Sequence, residues 1–214
     1  IVAGFCQASL AAVTVDSLLD DMTNLQRLTR MPAPAYTTKQ FSSYDPGSKT
    51  FSDYQGWFLN GDVNQYLRVE NKDGRKEHVM MDAEGPGAVV RIWSANPKGT
   101  LRFYLDGSGT PAIVAPMADL LGGKVPNLPV PVAGERARGW NLYFPIPYAK
   151  HCKVTCDQDG FYYHVNYRTY APGTEVKTFE SGDLQRLSSQ IAEVARRLAS
   201  PRAGGAPSAD QAKS

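Results

Sequence analysis

Apolar and polar positions alternate with a period of two in several short stretches of this chain, each bounded by Gly, Pro, Asn or Asp. The period predicts strands over 63–70, 76–82, 88–94, 101–105, 141–146, 152–156 and 161–170. In the first, Val63, Gln65, Leu67 and Val69 share one face, and Asn64, Tyr66, Arg68 and Glu70 the other. Leu101, Phe103 and Leu105 likewise alternate with Arg102 and Tyr104. Asn96-Pro97-Lys98-Gly99 separates 88–94 from 101–105 by a tight connection, so the two are expected to form an antiparallel hairpin. Asn71–Gly74 and Asp157–Gly160 also read as hairpin turns. Pro111–Ala115 reads as a short edge strand, because Pro has no donor for a ladder.

Two stretches carry the helical period instead. Over 16–30, Leu18, Met22, Leu25 and Leu28 form one stripe, with Thr14 or Asp16 as the cap and Pro32 and Pro34 as the stop. Over 183–199 the stripe is Leu184, Leu187, Ile191, Val194 and Leu198, ended by Pro201. The segments 36–60 and 116–138 have no stable period; the second holds at most one helical turn near Leu120–Gly123. Short turn-bounded strands with a helix at each end predict an all-β fold. The expected architecture is an antiparallel jelly-roll β-sandwich with its N- and C-terminal helices packed outside the sheets. The chain divides into 1–15, the jelly-roll domain 16–200, and an Ala/Gly/Pro/Ser-rich tail or linker at 201–214.

Composition sharpens this picture in a few places. At 214 residues, one large domain buries roughly 70% of its extended-chain surface and needs no metal or disulfide to fold. With 23 Lys+Arg against 21 Asp+Glu, the net charge of +2 implies neither a nucleic-acid partner nor an acidic membrane. No segment approaches the ~18 apolar residues of a membrane span. Ile1–Val15 is apolar and rich in small residues, like the end of a secretory signal with its cleavage region, and suggests a secreted or periplasmic protein; a buried N-terminal strand is the other reading. His151, Cys152, Cys156 and His164 lack zinc-ligand spacing, so the cysteines are expected to pack as small hydrophobes and no metal is expected. No phosphate-cradling loop, EF-hand or nucleophile elbow is present, so no cofactor is expected.

The candidate chemistry lies in the aperiodic 36–60 stretch and the strand after Gly87. Gln40, Ser42, Ser43, Tyr44, Asp45, Trp57, Asn60 and Asp62 combine donors, acceptors and rings suited to sugar hydroxyls and C–H faces. Arg91 and Trp93 could lie beneath that loop. The competing reading is structural: Asp45 caps its own turn, and Arg91 pairs with a carboxylate such as Glu84 or Asp106. His164 reads as a structurally hydrogen-bonded residue. The aromatic run Phe161–Tyr170 carries more ring surface than one sheet face hides, which points to self-association or a partner domain.

Several segments together carry a resemblance: QFSSYD at 40–45, WFLNGD at 57–62, EGPGAVVRIWSANPKGTLRFYLDG at 84–107, NLYFPIPYAK at 141–150 and FYYHVNYRTY at 161–170. The chain resembles the DUF2961 family, which overlaps glycoside hydrolase family 172. That resemblance implies retaining α-glycosidases acting on fructofuranosyl or arabinofuranosyl substrates, with two jelly rolls per protomer and assembly as trimers or hexamers. It places both catalytic glutamates in the second jelly roll, whereas this chain is similar to the first. No residue here therefore inherits a catalytic role, and Glu70, Glu77, Glu84, Asp45 and Asp62 lie in the half without the pair. Pro46 stands where the family's SSYD run is often followed by Arg. Such chemistry needs two carboxyl groups about 5–5.5 Å apart. The alternative is a non-catalytic carbohydrate-binding or oligomer-forming jelly-roll protein.

Overall fold

The computed structural model describes residues 12–49, 51–52 and 54–201. Among these residues eleven strands run in chain order: β1 (Tyr36–Ser42), β2 (Arg68–Lys72), β3 (Arg75–Glu84), β4 (Gly87–Ser94), β5 (Thr100–Leu105), β6 (Ile113–Pro116), β7 (Ala133–Arg136), β8 (Gly139–Leu142), β9 (Ile146–Tyr148), β10 (His151–Cys156) and β11 (Tyr163–Tyr170). They form two antiparallel sheets. One has six strands in the order β1-β11-β4-β8-β7, with β9 also on β4; the other has five, β2-β3-β10-β5-β6. Short helices flank them: α1 (Val15–Asp21), α2 (Tyr54–Trp57), α3 (Met117–Leu121), α4 (Asp183–Arg186) and α5 (Ser188–Ala199). This is the antiparallel jelly-roll sandwich that the strand periods predict. Its core lies between the sheets, with Val89, Ile92 and Val165 from one meeting Leu101, Phe103 and Val154 from the other.

The central pair of strands departs from expectation. β4 and β5 do not form a hairpin; they belong to opposite sheets. Pairing them side by side would put their apolar faces on one sheet, whereas the crossing sets Ile92 and Phe103 in one shared core. The connection is held by Asn96, whose Nδ2 donates to the Gly160 carbonyl (3.1 Å) and whose Oδ1 accepts from the Tyr162 N–H (2.9 Å). The Asp157–Gly160 turn is also a crossing, from β10 in one sheet to β11 in the other. True hairpins occur at β2–β3, where Asp73 and Gly74 both have positive φ (53° and 74°), and at β7–β8.

Other boundaries moved for local reasons. The first helix stops at Asp21; Thr14 caps it in a box with Ser17, and Arg27 Nε donates to the Asp21 carbonyl at 2.7 Å, turning the chain. Leu25 and Leu28 fall in a following 3-10 turn and are 73% and 72% exposed, so the expected stripe ends at Met22. The expected 63–70 strand shortens to β2, with Tyr66 packed on the core while Leu67 and Val69 face solvent. The expected 141–146 strand divides into β8 and β9, and β7 arises in the stretch read as irregular. The C-terminal helix is broken into α4 and α5 at Leu187. Phe161, Tyr163, Tyr167 and Tyr170 are all buried within the single chain, so this aromatic run by itself calls for no partner. Most of the 1–15 segment and the 202–214 tail lie outside the described residues; Val13 and Val15 are buried in the fold. No helix among the described residues is long and apolar enough to cross a membrane.

The outer face of the five-stranded sheet is an ion-pair network. Arg68 bridges Glu70 and Asp82, Lys153 meets Glu70 at 2.7 Å, His151 Nε2 lies 2.6 Å from Asp82, and Arg102 holds Asp157 at 3.0 Å. Burial pushes the carboxyls of Glu77, Asp82 and Asp157 up, yet the cations and hydrogen bonds around them win and hold all three below the ordinary carboxylate range. Glu70 is also lowered, chiefly by Lys153. A carboxyl with a depressed folded pKa stabilises the fold above its unfolded pKa, near 4. That stabilisation disappears as pH falls through the lower folded values. Thermal melts should therefore fall steeply below about pH 4. A melting temperature unchanged down to pH 2 would contradict this.

Candidate functional site

The outer face of the six-stranded sheet differs from that of its partner. β1, β11, β4 and β8 lie side by side there, and alternation turns Gln40, Asn166, Arg91 and Asn141 away from the core. These four side chains make a row of hydrogen bonds across four strands. Asn166 Nδ2 donates to Gln40 Oε1 (2.8 Å), and Arg91 Nη1 donates to Asn166 Oδ1 (3.4 Å). Arg91 Nε and Nη2 donate to Asn141 Oδ1 (3.3 and 3.0 Å), and Asn141 Nδ2 donates to the Gly139 carbonyl (3.0 Å). Tyr143 places its ring centroid 5.9 Å from the Arg91 guanidinium carbon and donates its hydroxyl to Asn141 Oδ1 (3.3 Å).

Trp93 follows two positions along β4 and packs on His164, its register partner on β11, with centroids 4.8 Å apart. Gly139 makes room for this indole: a Cβ there would sit 2.4 Å from Trp93 Nε1. His164 is thus held by stacking rather than by the expected hydrogen bond. Burial, then the charge of Arg91, lowers its pKa against the pull of Asp62, so the ring is neutral at pH 7. Among the described residues Arg91 has no carboxylate partner; Asp106 instead accepts from the backbone of Lys150 and His151 (2.7 and 3.1 Å). The expected pairing with Glu84 or Asp106 is therefore absent. Beside Tyr143 a groove of about 450 Å³ continues over the sheet, lined by Leu18, Met22, Val90, Pro145 and Leu198.

The loop residues divide. Ser43 is buried and serves the backbone: its Oγ accepts from the Tyr163 N–H at 3.1 Å. Ser42 Oγ accepts from the Tyr44 N–H, and the Tyr44 hydroxyl donates to the Ser48 carbonyl (3.0 Å). Asp45 Oδ1 and Oδ2 accept from the Gly47 and Gly61 N–H groups (2.8 and 2.9 Å), while the Asp45 N–H donates to Asp62 Oδ1 (2.8 Å). Trp57 packs edge-on against Phe51, and Asn60 is exposed. Of the expected loop residues, Gln40 joins Arg91 through Asn166, and Asp62 reaches the field of His164. Asn141, Tyr143, Asn166 and His164 were missing from the sequence-based set. Their alternation with apolar neighbours was legible, but their convergence on Arg91 was not. Removing the Asp45 carboxylate should cost about 1–3 kcal/mol, because two N–H groups lose a charged acceptor. Chemical denaturation of Asp45→Ala, with limited proteolysis reading the 45–62 loop, checks this; unchanged stability would assign Asp45 away from the loop's structure.

Residues 34–187 match the family model described as the GH172 first beta-sandwich domain. The chain belongs to glycoside hydrolase family 172. No curated protein matches it significantly. The matched span runs from just before β1 to the end of α4, so it includes both sheets and the whole polar row. This domain of glycoside hydrolase family 172 thus carries a carbohydrate-active family fold. Two of its cysteines pack in the core as expected, while Cys6 lies outside the described residues: Cys152 and Cys156 are fully buried, and burial raises both thiols, that of Cys156 to about 11. His151, one residue from Cys152, points to the opposite face and meets Asp82, so the two cannot share a metal. Among the described residues, no group of three or more His, Cys, Asp or Glu is arranged to hold an ion.

Proposed function

We propose that this domain is the first jelly roll of a retaining α-glycosidase acting on fructofuranosyl or arabinofuranosyl substrates, and that it binds and positions sugar rather than breaking the bond. The observation that carries this reading is the Gln40–Asn166–Arg91–Asn141 row beside Trp93 and Tyr143, which offers hydroxyl partners next to ring faces. The catalytic pair would come from a second jelly roll, in the same polypeptide or in a neighbouring subunit of a trimer or hexamer. Five carboxylates of the two sheets and their turns suit that division. A general acid needs a raised pKa, and Glu70, Glu77, Asp82, Asp106 and Asp157 are all lowered. A secreted or periplasmic location belongs to the same proposal and is checked by cell fractionation.

The test is hydrolysis of aryl α-arabinofuranoside and α-fructofuranoside by residues 1–214 and by an assembly containing both jelly rolls. Turnover by the assembly and none by the single domain is the expected result. Turnover by residues 1–214 that Asp82→Asn or Glu70→Gln abolishes would overturn it. Furanoside binding without hydrolysis by the assembly would replace it with a non-catalytic carbohydrate-binding role.

A further inference from the structure

Half-burying an arginine is costly unless its charge is compensated. Arg27, Arg75, Arg102 and Arg168 are all half-buried, and each has a carboxylate partner at 3.5, 2.6, 3.0 and 3.0 Å. Arg91, half-buried in the same way, has no carboxylate partner among the described residues. Its hydrogen-bond partners are the neutral amides of Asn141 and Asn166. These orient the guanidinium without neutralising it. Three of its five N–H groups are used, which leaves one on each terminal nitrogen, the number that a carboxylate takes in a bidentate contact. The rings of Tyr143 and Trp93, with the amides of Gln40 and Asn166, lie along the same face. Burial first, and then the Arg91 charge, lowers the pKa of the neighbouring His164 against the opposing pull of Asp62.

We propose that Arg91 binds the carboxylate of a uronic acid, so that the oligosaccharide handled here carries an acidic sugar beside the furanosyl unit. The inference rests on the reading of this face as a sugar-binding surface. The carboxylate supplies the missing counter-charge, the amides take ring hydroxyls, and Tyr143 and Trp93 take C–H faces. A protein carboxylate would use the fork alone, whereas this face offers amides and rings around it.

The test uses the 214-residue chain, titrated by NMR at pH 7 with D-glucuronate, its methyl ester, glucose and acetate, reading the Trp93 indole and Arg91 Nε resonances. The ester removes the charge from the ligand and leaves the protein untouched, so the comparison does not depend on a variant that folds. Glucuronate should bind at least tenfold more tightly than its ester and than acetate. Arg91→Gln should abolish that preference, and Arg91→Lys should retain only part of it, because an ammonium lacks the planar fork. Equal binding of glucuronate, ester and glucose would overturn the acidic preference and leave the sugar-binding reading standing. Acetate binding as well as glucuronate would reduce the site to an anion contact and overturn the proposal. Binding by none of the four would remove both this inference and the sugar-binding role of the isolated face.

Discussion

Replacing Glu77 with Ala should cost about 3–5 kcal/mol, the expected loss when one member of a buried charged cluster is removed. Glu77 lies on β3 with no exposed side-chain surface, and its carboxylate is ringed by hydrogen-bond donors. Arg75 donates to Oε1 from Nη2 and Nε (2.6 and 3.1 Å), Thr155 Oγ1 donates to Oε2 (2.8 Å), and the Tyr104 hydroxyl lies 2.9 and 3.0 Å from the two oxygens. Arg102, itself 11% exposed, stands 3.9 Å away. Alanine would strand a phenol and a hydroxyl and leave Arg75 without its carboxylate, while Arg102 keeps Asp157; the groups affected sit on strands β3, β5 and β10, the centre of the five-stranded sheet. Glu77→Gln keeps the shape and loses the charge, so about 1–3 kcal/mol is expected. Urea denaturation of the three proteins measures the series. A Glu77→Ala loss under about 1 kcal/mol, or a Gln variant less stable than the Ala one, would contradict the account.

Tyr163→Ala is expected to cost a similar amount, about 3–5 kcal/mol, as for other large aromatic truncations in a core. Its ring is 1% exposed, stacks on Tyr66 at 5.8 Å and an interplanar angle of 5°, and borders Phe161. Its hydroxyl donates to the Gln65 carbonyl at 2.9 Å, and its backbone N–H donates to Ser43 Oγ. The residue therefore fixes both ends of the 43–65 loop to β11. Tyr163→Phe keeps the stack and should cost only about 0.5–1.5 kcal/mol. Hydrogen exchange should show the 43–66 backbone opening before the two sheets in Tyr163→Ala. Equal destabilisation by Phe and Ala would mean that the ring contributes little and the hydroxyl nearly everything.

The sequence by itself determined the class of fold. Alternation in 76–82, 88–94 and 101–105 depends on side-chain direction within one strand, a local property, and these elements appear where their period put them. The Asp73-Gly74 hairpin was legible for the same reason: two consecutive positive φ values need those residue types, whatever surrounds them. β1 was not legible, because Tyr36–Ser42 is an edge strand with one partner and a mostly exposed burial pattern, so no alternation marks it. Only the tertiary structure decided that β4 and β5 enter opposite sheets. A five-residue connection permits either a hairpin or a crossing, and the choice falls to burial of both apolar faces together. The same holds for Arg91. Its partners Asn141 and Asn166 stand 50 and 75 positions away, and chain spacing carries no record of which strands become neighbours. Strand pairing at that distance sets which side chains meet, and so it decided that this arginine rests on amides, with no carboxylate partner among the described residues.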